Sequence, residues 1–567
     1  MDFVILLTAI LISTTNLTIT EPFDGETYNG DWLTVRAIVE NENEKADSVH
    51  YSLNGQSVIQ IPRLNTDWYT YMQNDLHHGY SESPAPTDNT ILWTASITGT
   101  VHEFPTPVVV DGLVYYPQNE GGDTLFALDA TTGDVEWIFT GTGSTDDAVT
   151  VKDGRLYTAS DSIWCLDALT GERIWAFGDA NWTGSTPVVS NGKVYCALRY
   201  NESRIYCLDA NTGIELWFSE VQGHTVSCMT VWQDMLFIPT YRLGSSIGYL
   251  HALDAGTGDV IWENDDSYQG YWDSSPTVVD EVIYIGGYDG YLRAIDANSG
   301  ETIWETDFGD GITATPAYHA GSLYIGSNYP PFASVNALNG FFNWTSDFTI
   351  HGSPGIADGT VFFGENSYND SARVIALDCV LGDTIWTYMT TATVFDGSPA
   401  ITDGILYIPA IDGNLYAFGT GLKYTYLDDL YADIGENELI VTAFDEGIAF
   451  AADTVNFTVT ETGIGPEPSH RLDLSSSRIG LYASPNPFYS TASISFELSE
   501  PGYTSMKVYD LSGRIVCSLT ESELGSGEHS YIWDGTYQNG EPVSAGLYFC
   551  RIQSGNITET TGLCLLK

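Results

Sequence analysis

Six residues in the middle of the chain, Trp182, His224, Trp272, Asp273, His351 and Asp396, are of types that bind ligands. They stand in short polar stretches between apolar runs, as in Ala180-Asn181-Trp182, Gly223-His224, Tyr271-Trp272-Asp273, Ile350-His351 and Phe395-Asp396. Similar stretches add carboxylates at Glu120, Asp123, Asp146, Asp147, Asp161, Asp289, Glu365, Asp370 and Asp412. Carboxylates gathered at one place suit a cation, and calcium above others because it prefers oxygen ligands. An indole face beside hydrogen-bonding groups suits a neutral sugar stacked on Trp182 or Trp272. The plain alternative is that solvated loops in an acidic protein are acidic. The signatures of common enzyme classes are missing: GTGS at 141–144 lacks a P-loop lysine, no GxSxG or HExxH stands in the right context, and no CxxC is present.

Whether such residues meet depends on the elements between them. Eight tryptophans recur at nearly constant spacing, Trp93, Trp137, Trp175, Trp217, Trp262, Trp304, Trp344 and Trp386. Seven of them close a shared phrase, as in FALDATTGDVEW at 126–137 and LHALDAGTGDVIW at 250–262, degraded to ASVNALNGFFNW at 333–344. Each unit of about 42 residues holds four short runs rich in Val, Ile, Tyr and Trp, bounded by Asp, Asn and Gly. Those are strands joined by hairpins, and four strands at this period make a propeller blade. The Gly before the last strand (Gly133, Gly171, Gly213, Gly258, Gly300) supplies the positive φ of a tight turn. The Asp before it (Asp129, Asp167, Asp209, Asp254, Asp296, Asp378) caps that turn through its carboxylate. Each tryptophan is expected between neighbouring blades.

The ends of the array are complementary. Trp93 lies in NTILWTAS with no LDA phrase before it, while GSPAITDGILYIPAIDGNLYAFG at 397–419 has three strands and no terminal tryptophan strand. Pairing the first with the second closes a ring of eight blades and leaves no free sheet edge. The polar stretches that join one blade's outer strand to the next blade's inner strand then converge on one mouth.

The LDA-x-TG-x-x-x-W phrase, with the lead-in DWYTYMQNDLHHGYSESPAP at 67–86, resembles the pyrroloquinoline-quinone-type (PQQ-like) repeat family over roughly 65–421. That family includes quinoprotein dehydrogenases and a non-enzymatic outer-membrane assembly lipoprotein. A dehydrogenase would need a calcium-bound quinone on the ring axis, with His224, Trp272, Asp273 and Asp396 as candidates by position. This chain lacks the adjacent Cys-Cys pair of the alcohol-oxidising branch and its axial insertions. The resemblance is specific for the fold and indifferent to activity. The missing features favour a non-catalytic propeller without PQQ, with calcium as the candidate ion. The alternatives are a PQQ- and calcium-dependent oxidoreductase or an envelope-assembly scaffold.

The flanks are also strand-like. Residues 16–64 and 422–461 each supply too few strands for a sandwich alone and together resemble one Ig-like domain into which 65–421 is inserted; two independent partial modules are the alternative. A polar linker follows at 462–478. Residues 479–567 carry SPNPF, VYDLSGR, WDG, GLYF and a terminal Lys in that order. They resemble the C-terminal Ig-like sorting domain of type IX secretion cargo, which implies export and a contact with the secretion machinery. Residues 1–15 have the apolar core of a signal peptide but no basic lead, so a first sandwich strand is the other reading.

With 75 acidic and 19 basic residues the net charge is −56. Such a chain repels phosphate backbones and is not a nucleic-acid binder. No apolar run is long enough for a transmembrane helix. The eight cysteines are scattered; Cys196 and Cys207, and Cys550 and Cys564, stand near enough in the strand pattern for either pairing or free thiols. The expectation is an all-β, secreted or surface-displayed protein of a Gram-negative-type bacterium that binds an extracellular protein, a glycan or a cation.

Overall fold

The computed structural model describes residues 16–565 except 22–26, 30–31, 42–47, 55–58, 62, 97–105, 119–123, 141–147, 161, 179–184, 201, 226, 242–246, 366–371, 391–396, 411, 432–434, 446–447, 461–481, 485–491, 499–501, 510–514, 526, 534, 538–542, 544–545 and 555–556. Among the described residues there is no helix, and the regular structure is antiparallel β-sheet apart from two short parallel pairings. No helix is therefore long and apolar enough to cross a membrane. The chain divides into two compact units, 1–463 and 464–567.

In the first unit each tryptophan repeat folds as one sheet. The first is Val108–Val110, Leu113–Gln118, Thr124–Asp129 and Val135–Thr140, hydrogen-bonded in chain order. Six further sheets repeat this plan, ending with Gly355–Ala357 to Thr384–Met389. In the eighth, Ala400–Thr402, Ile405–Ala410 and Asn414–Phe418 take their fourth strand, Ile91–Ser96, from far upstream. Inner strands of successive sheets lie side by side, the fifth and sixth being linked by Thr277 Oγ1 donating to the Pro316 carbonyl (2.6 Å), and Ala400–Thr402 lies beside Val108–Val110, so the sheets follow one another around a ring. Two more sheets mix the ends of the unit: Trp32–Asn41 pairs with Leu422–Tyr431, and Ser48–Leu53 with Gly435–Asp445.

The repeat phrase is a lock between neighbouring sheets. The aspartate carboxylate accepts backbone N–H groups across its turn, as Asp296 does from Asn298 (3.0 Å) and Ser299 (2.7 Å). That turn holds its glycine at positive φ, +74° at Gly300, and presses it onto the indole of the preceding sheet. From Trp93 to Trp344, in all the repeats but that of Trp217, the indole Nε1 donates to the carbonyl that follows the aspartate (Asn336 in the sixth sheet), as from Trp93 to Ala130 (2.9 Å), Trp175 to Ala210 (3.0 Å), Trp262 to Ala297 (3.0 Å) and Trp344 to Cys379 (2.9 Å). Side-chain area, a satisfied N–H and a turn that only glycine fits meet at one place. At the seam, where the eighth sheet has no such hairpin, Trp386 donates to Pro86 (3.2 Å) and Gly419 N–H to Thr90 (2.9 Å), so the lead-in imitates the missing turn.

The lead-in also threads the ring. Trp68 exchanges backbone hydrogen bonds with Val109 (2.8 Å each way), and the carbonyls of Tyr69, Leu76, His78 and Gly79 accept from Val151, Val278, Tyr318 and Ile356 (2.7–3.0 Å). One short segment thus touches the inner strands of five sheets. His77 is buried, with Nδ1 3.0 Å from both the Pro276 carbonyl and Thr230 Oγ1. Burial lowers its pKa to about 4, so the ring is a neutral packing group.

The second unit has two sheets, one of Tyr482–Ser484, Ala492–Leu498 and Gly527–Trp533, the other of Ile515–Leu524, Gly502–Tyr509, Gly546–Ser554 and Ile557–Leu565. Its core includes Phe496, Met506, Val508, Trp533 and Cys550. Trp533, from the WDG phrase, donates Nε1 to Thr536 (3.0 Å) and meets Tyr548 edge to face at 5.0 Å. Cys196 and Cys207 are free thiols, because Cys196 stands opposite Tyr206 and the two cysteines point to opposite faces of their sheet.

Candidate functional site

The loops at one end of the fourth and fifth sheets gather an aromatic platform. His224 ends the connection from the third sheet; Tyr241 follows Met235–Thr240; Trp272 and Asp273 lie between Val260–Asn264 and Thr277–Val279; Tyr288 follows Val282–Gly286. The rings form a chain: His224 and Tyr241 have centroids 5.8 Å apart, Tyr241 and Trp272 4.3 Å, Trp272 and Tyr288 6.2 Å. Trp272 is half-buried, while Tyr288 and nearby Tyr268 are exposed. The backbone fixes this arrangement. His224 and Tyr241 exchange N–H···O bonds of 2.7 and 2.8 Å, and Tyr288 N–H donates to Gly270 (2.9 Å). Gly270 has φ +84°, and a Cβ there would lie 2.8 Å from Tyr241 Cβ, so no other residue lets the loops close up.

Two buried polar side chains brace these loops. His251 is fully buried between Glu263 (Nδ1 to Oε1, 2.9 Å) and the Gln222 carbonyl (Nε2, 3.0 Å), which places the turn that carries His224. Burial lowers its pKa, with Gln222 and Glu263 acting against that. Arg293 donates to Asp289 (2.7 and 3.0 Å) and to the Asp266 carbonyl (3.2 Å), while Asp289 Oδ2 accepts from Tyr268 N–H (2.9 Å). The two side chains of this ion pair are 3% and 7% exposed.

Of the residues expected at a mouth, the structure brings together His224, Trp272 and, next in chain to Trp272, the exposed Asp273 at φ +63°. His351 belongs to another part of the rim, between the sixth and seventh sheets, where its carbonyl accepts from Thr313 (3.4 Å). Trp182 and Asp396 lie outside the described residues, as do Glu120, Asp123, Asp146, Asp147, Asp161 and Asp370. The three described hairpin acids are engaged rather than open: Asp289 with Arg293, Glu365 with Arg373 (2.5 and 2.8 Å), and Asp412 with the Tyr416 hydroxyl (2.7 Å). An acidic funnel is corrected to this extent, since these carboxylates spend their charge on the next strand. Among the described residues no three His, Cys, Asp or Glu side chains form a group that could hold a metal ion.

Tyr241, Tyr288, His251 and Arg293 were not singled out from the sequence. A signal exists for two of them. The residue two places before the Leu, Ile or Val of the repeat phrase is Phe126, Trp164, Tyr206, His251, Arg293, Ala333 and Ile375 in turn. Only the two units that carry the platform put a basic side chain there.

The starts of the inner strands are joined hydroxyl to backbone: Cys228 N–H donates to Ser275, Ser275 to Thr315, Thr315 to Ser353 and Ser353 to Ser398 (2.8–2.9 Å). Tyr71 of the lead-in adds its hydroxyl to Thr315 (3.0 Å) and Ser353 (2.8 Å).

Comparison with known proteins agrees with the repeat. Residues 83–181, 159–387 and 288–421 match the family described as outer membrane protein assembly factor BamB, and 485–556 match the FlgD Ig-like domain. The assembly factor BamB of Shewanella oneidensis is 35% identical over 88 residues, 15% of this chain, and the match spans only 21% of that relative. Among solved structures, a europium-containing methanol dehydrogenase superposes with a TM-score of 0.54 at 14% identity, over 64% of this chain and 98% of the other. The quinohemoprotein alcohol dehydrogenase of Comamonas testosteroni gives 0.52 at 16%, over 65% and 81%. At these identities the likeness shows the fold, a β-propeller, and not an activity. Because the family match covers more than half of the chain, this protein belongs to the PQQ-like β-propeller family of the outer membrane protein assembly factor BamB and carries an FlgD-type Ig-like domain later in its sequence.

Proposed function

We propose that this protein is a non-catalytic binding propeller of eight blades, inserted in an Ig-like frame, which works outside the cell and holds a glycan at the platform of Tyr241, Trp272 and Tyr288. The observation that carries the reading is that platform: three aromatic rings in contact, braced by a buried ion pair, with His224 and Asp273 beside them to hydrogen-bond hydroxyls. A pyranose presents C–H groups on one face and hydroxyls at its edge, which matches an indole flanked by polar groups. Charge selects among sugars: at −56 the molecule disfavours uronates and sulfated chains, so a neutral glycan is the ligand. Calcium and a quinone play no part in this reading. Trp272→Ala is expected to weaken binding of neutral oligosaccharides at least ~10-fold, an aromatic contact being worth roughly 1.5–3 kcal/mol when buried. Calorimetry or a glycan array reads the affinity, and the melting temperature stays unchanged. An unaltered affinity in Trp272→Ala would remove the site.

The second unit supplies the address. Its FlgD-type Ig-like fold, with SPNPF, VYDLSGR, WDG and GLYF in order, supports export as type IX secretion cargo. Deleting 479–567 is then expected to retain the protein inside the cell envelope, scored by fractionation; undiminished surface display or release would refute it. The short match to an assembly factor favours one other reading, a scaffold for envelope assembly, in which the truncated protein would stay functional in the periplasm.

A further inference from the structure

The sixth sheet differs electrically from every other part of the ring. From Gly311 to Ser346 the sequence contains no Asp, Glu, Lys or Arg, in a chain that carries 75 acidic and 19 basic residues. That stretch holds the whole sheet, Ala317–His319, Ser322–Gly326, Phe332–Asn336 and Phe342–Ser346. Its outer strand, FNWTS, is uncharged, as are those of the seventh sheet (TIWTYM) and the eighth (ILWTAS), whereas those of the first five sheets carry Glu136, Arg173, Glu215, Glu263 and Glu305. Only in the sixth are the other strands and the turns between them uncharged too. Charged residues on an outer strand keep a sheet edge from pairing with other molecules, and here that protection is removed.

The same place is apolar at its surface. The turn before the outer strand, polar as Asn298-Ser299 in the fifth repeat, reads Leu338-Asn339-Gly340-Phe341 here and Val380-Leu381-Gly382 in the seventh. Leu338 is 86% exposed, Phe341 74%, Leu381 66% and Val380 63%. The two turns form one surface, since Gly382 packs on the Trp344 indole and Trp344 Nε1 donates to Cys379 (2.9 Å). Phe342, on the strand between them, is exposed as well and has its ring edge to face with Phe308 at 5.2 Å. Lone apolar side chains on other turns, Leu169 and Ile214, stand beside Glu172 and Glu215 and need no partner.

We infer that this face is where a second copy of the chain docks, turn against turn about a twofold axis. Charge identifies the occupant. A cationic partner is drawn to the acidic parts of a molecule at −56, so clearing one sheet of charge works against it. A strongly acidic partner is repelled everywhere except at a cleared face. The acidic partner of matching apolar shape that is always present is another copy, and a patch that meets itself forms a closed, isologous contact. The pair would leave the aromatic platform of each copy free, because those loops belong to the opposite ends of the strands in the fourth and fifth sheets.

Sedimentation of the full chain across a concentration series, at low and high salt, tests this. A reversible dimer is expected, and it tightens as salt rises, because screening removes like-charge repulsion while apolar burial is retained. Leu338→Asp with Phe341→Asp is expected to weaken association about 30-fold or more, a hot-spot loss from a contact centre. Val380→Asp with Leu381→Asp should do the same without altering the sixth repeat. Ile261→Asp with Ile303→Asp, at exposed positions on the outer strands of the fourth and fifth sheets, should leave the dimer intact. A monomer at every concentration and salt overturns the inference. So does a dimer that the first two pairs leave unchanged, or one that the Ile261 and Ile303 pair dissociates equally.

Discussion

Gly300→Ala is expected to destabilise the first unit by about 2–5 kcal/mol, whereas Gly309→Ala, at a similar backbone angle, costs only about 1–2 kcal/mol. Both glycines have positive φ, +74° and +81°, so both variants carry the same left-handed strain. They differ in what a methyl would meet. At Gly309 nothing lies within 4 Å, while at Gly300 the Cβ would sit 2.6 Å from Cε3 of Trp262 and 2.7 Å from its Cδ2. That indole cannot retreat, because its Nε1 is held by the Ala297 carbonyl at 3.0 Å and its other side is packed on Phe237. The difference between the two variants in thermal or urea unfolding therefore isolates the packing component of the lock. In a Trp262→Ala background, itself destabilised by about 3–5 kcal/mol, that component should disappear and Gly300→Ala should cost no more than Gly309→Ala. Equal effects of the two glycine variants in the wild-type background would show that the turn, and not the interlock, sets the stability of the repeat.

Arg293→Met is expected to cost about 3–5 kcal/mol, the penalty for stranding a buried carboxylate. Asp289 would keep its bonds from Tyr268 N–H (2.9 Å) and Tyr291 N–H (3.3 Å) but lose the cation that makes its burial tolerable. Adding Asp289→Asn removes the stranded charge, so the double variant should regain most of the loss. Function should not return with stability. Arg293 also holds the Asp266 carbonyl, at the start of the loop that carries Tyr268 and Trp272, and Met offers no donor there. The double variant should then fold well, exchange amide hydrogens of 266–274 faster, and bind the neutral glycan as weakly as Trp272→Ala does. Full recovery of binding in the double variant would mean that the ion pair serves stability alone.

The repeat was legible because its information is local. An aspartate, a glycine and a tryptophan within nine residues specify a capped turn, a positive φ and a strand that must bury an indole, and all three sit as their chemistry requires at Asp296, Gly300 and Trp304. The all-β character and the rim position of His224, Trp272 and Asp273 follow from the same short-range rules. Partners were not legible, because they are chosen by loops that meet across sheets. Nothing near Trp272 in the chain points to Tyr241, which becomes its neighbour at 4.3 Å only when glycines at 248 and 270 let two backbones touch. Charge was misleading for a related reason. Asp289 and Glu365 read as open carboxylates, yet alternation along the next strand aims Arg293 and Arg373 at them, and a paired acid no longer recruits a cation. The course of the lead-in lies furthest beyond the sequence. Its backbone groups pair with inner strands some 40 to 280 residues away, and only closure of the ring brings those strands within hydrogen-bonding reach of one segment.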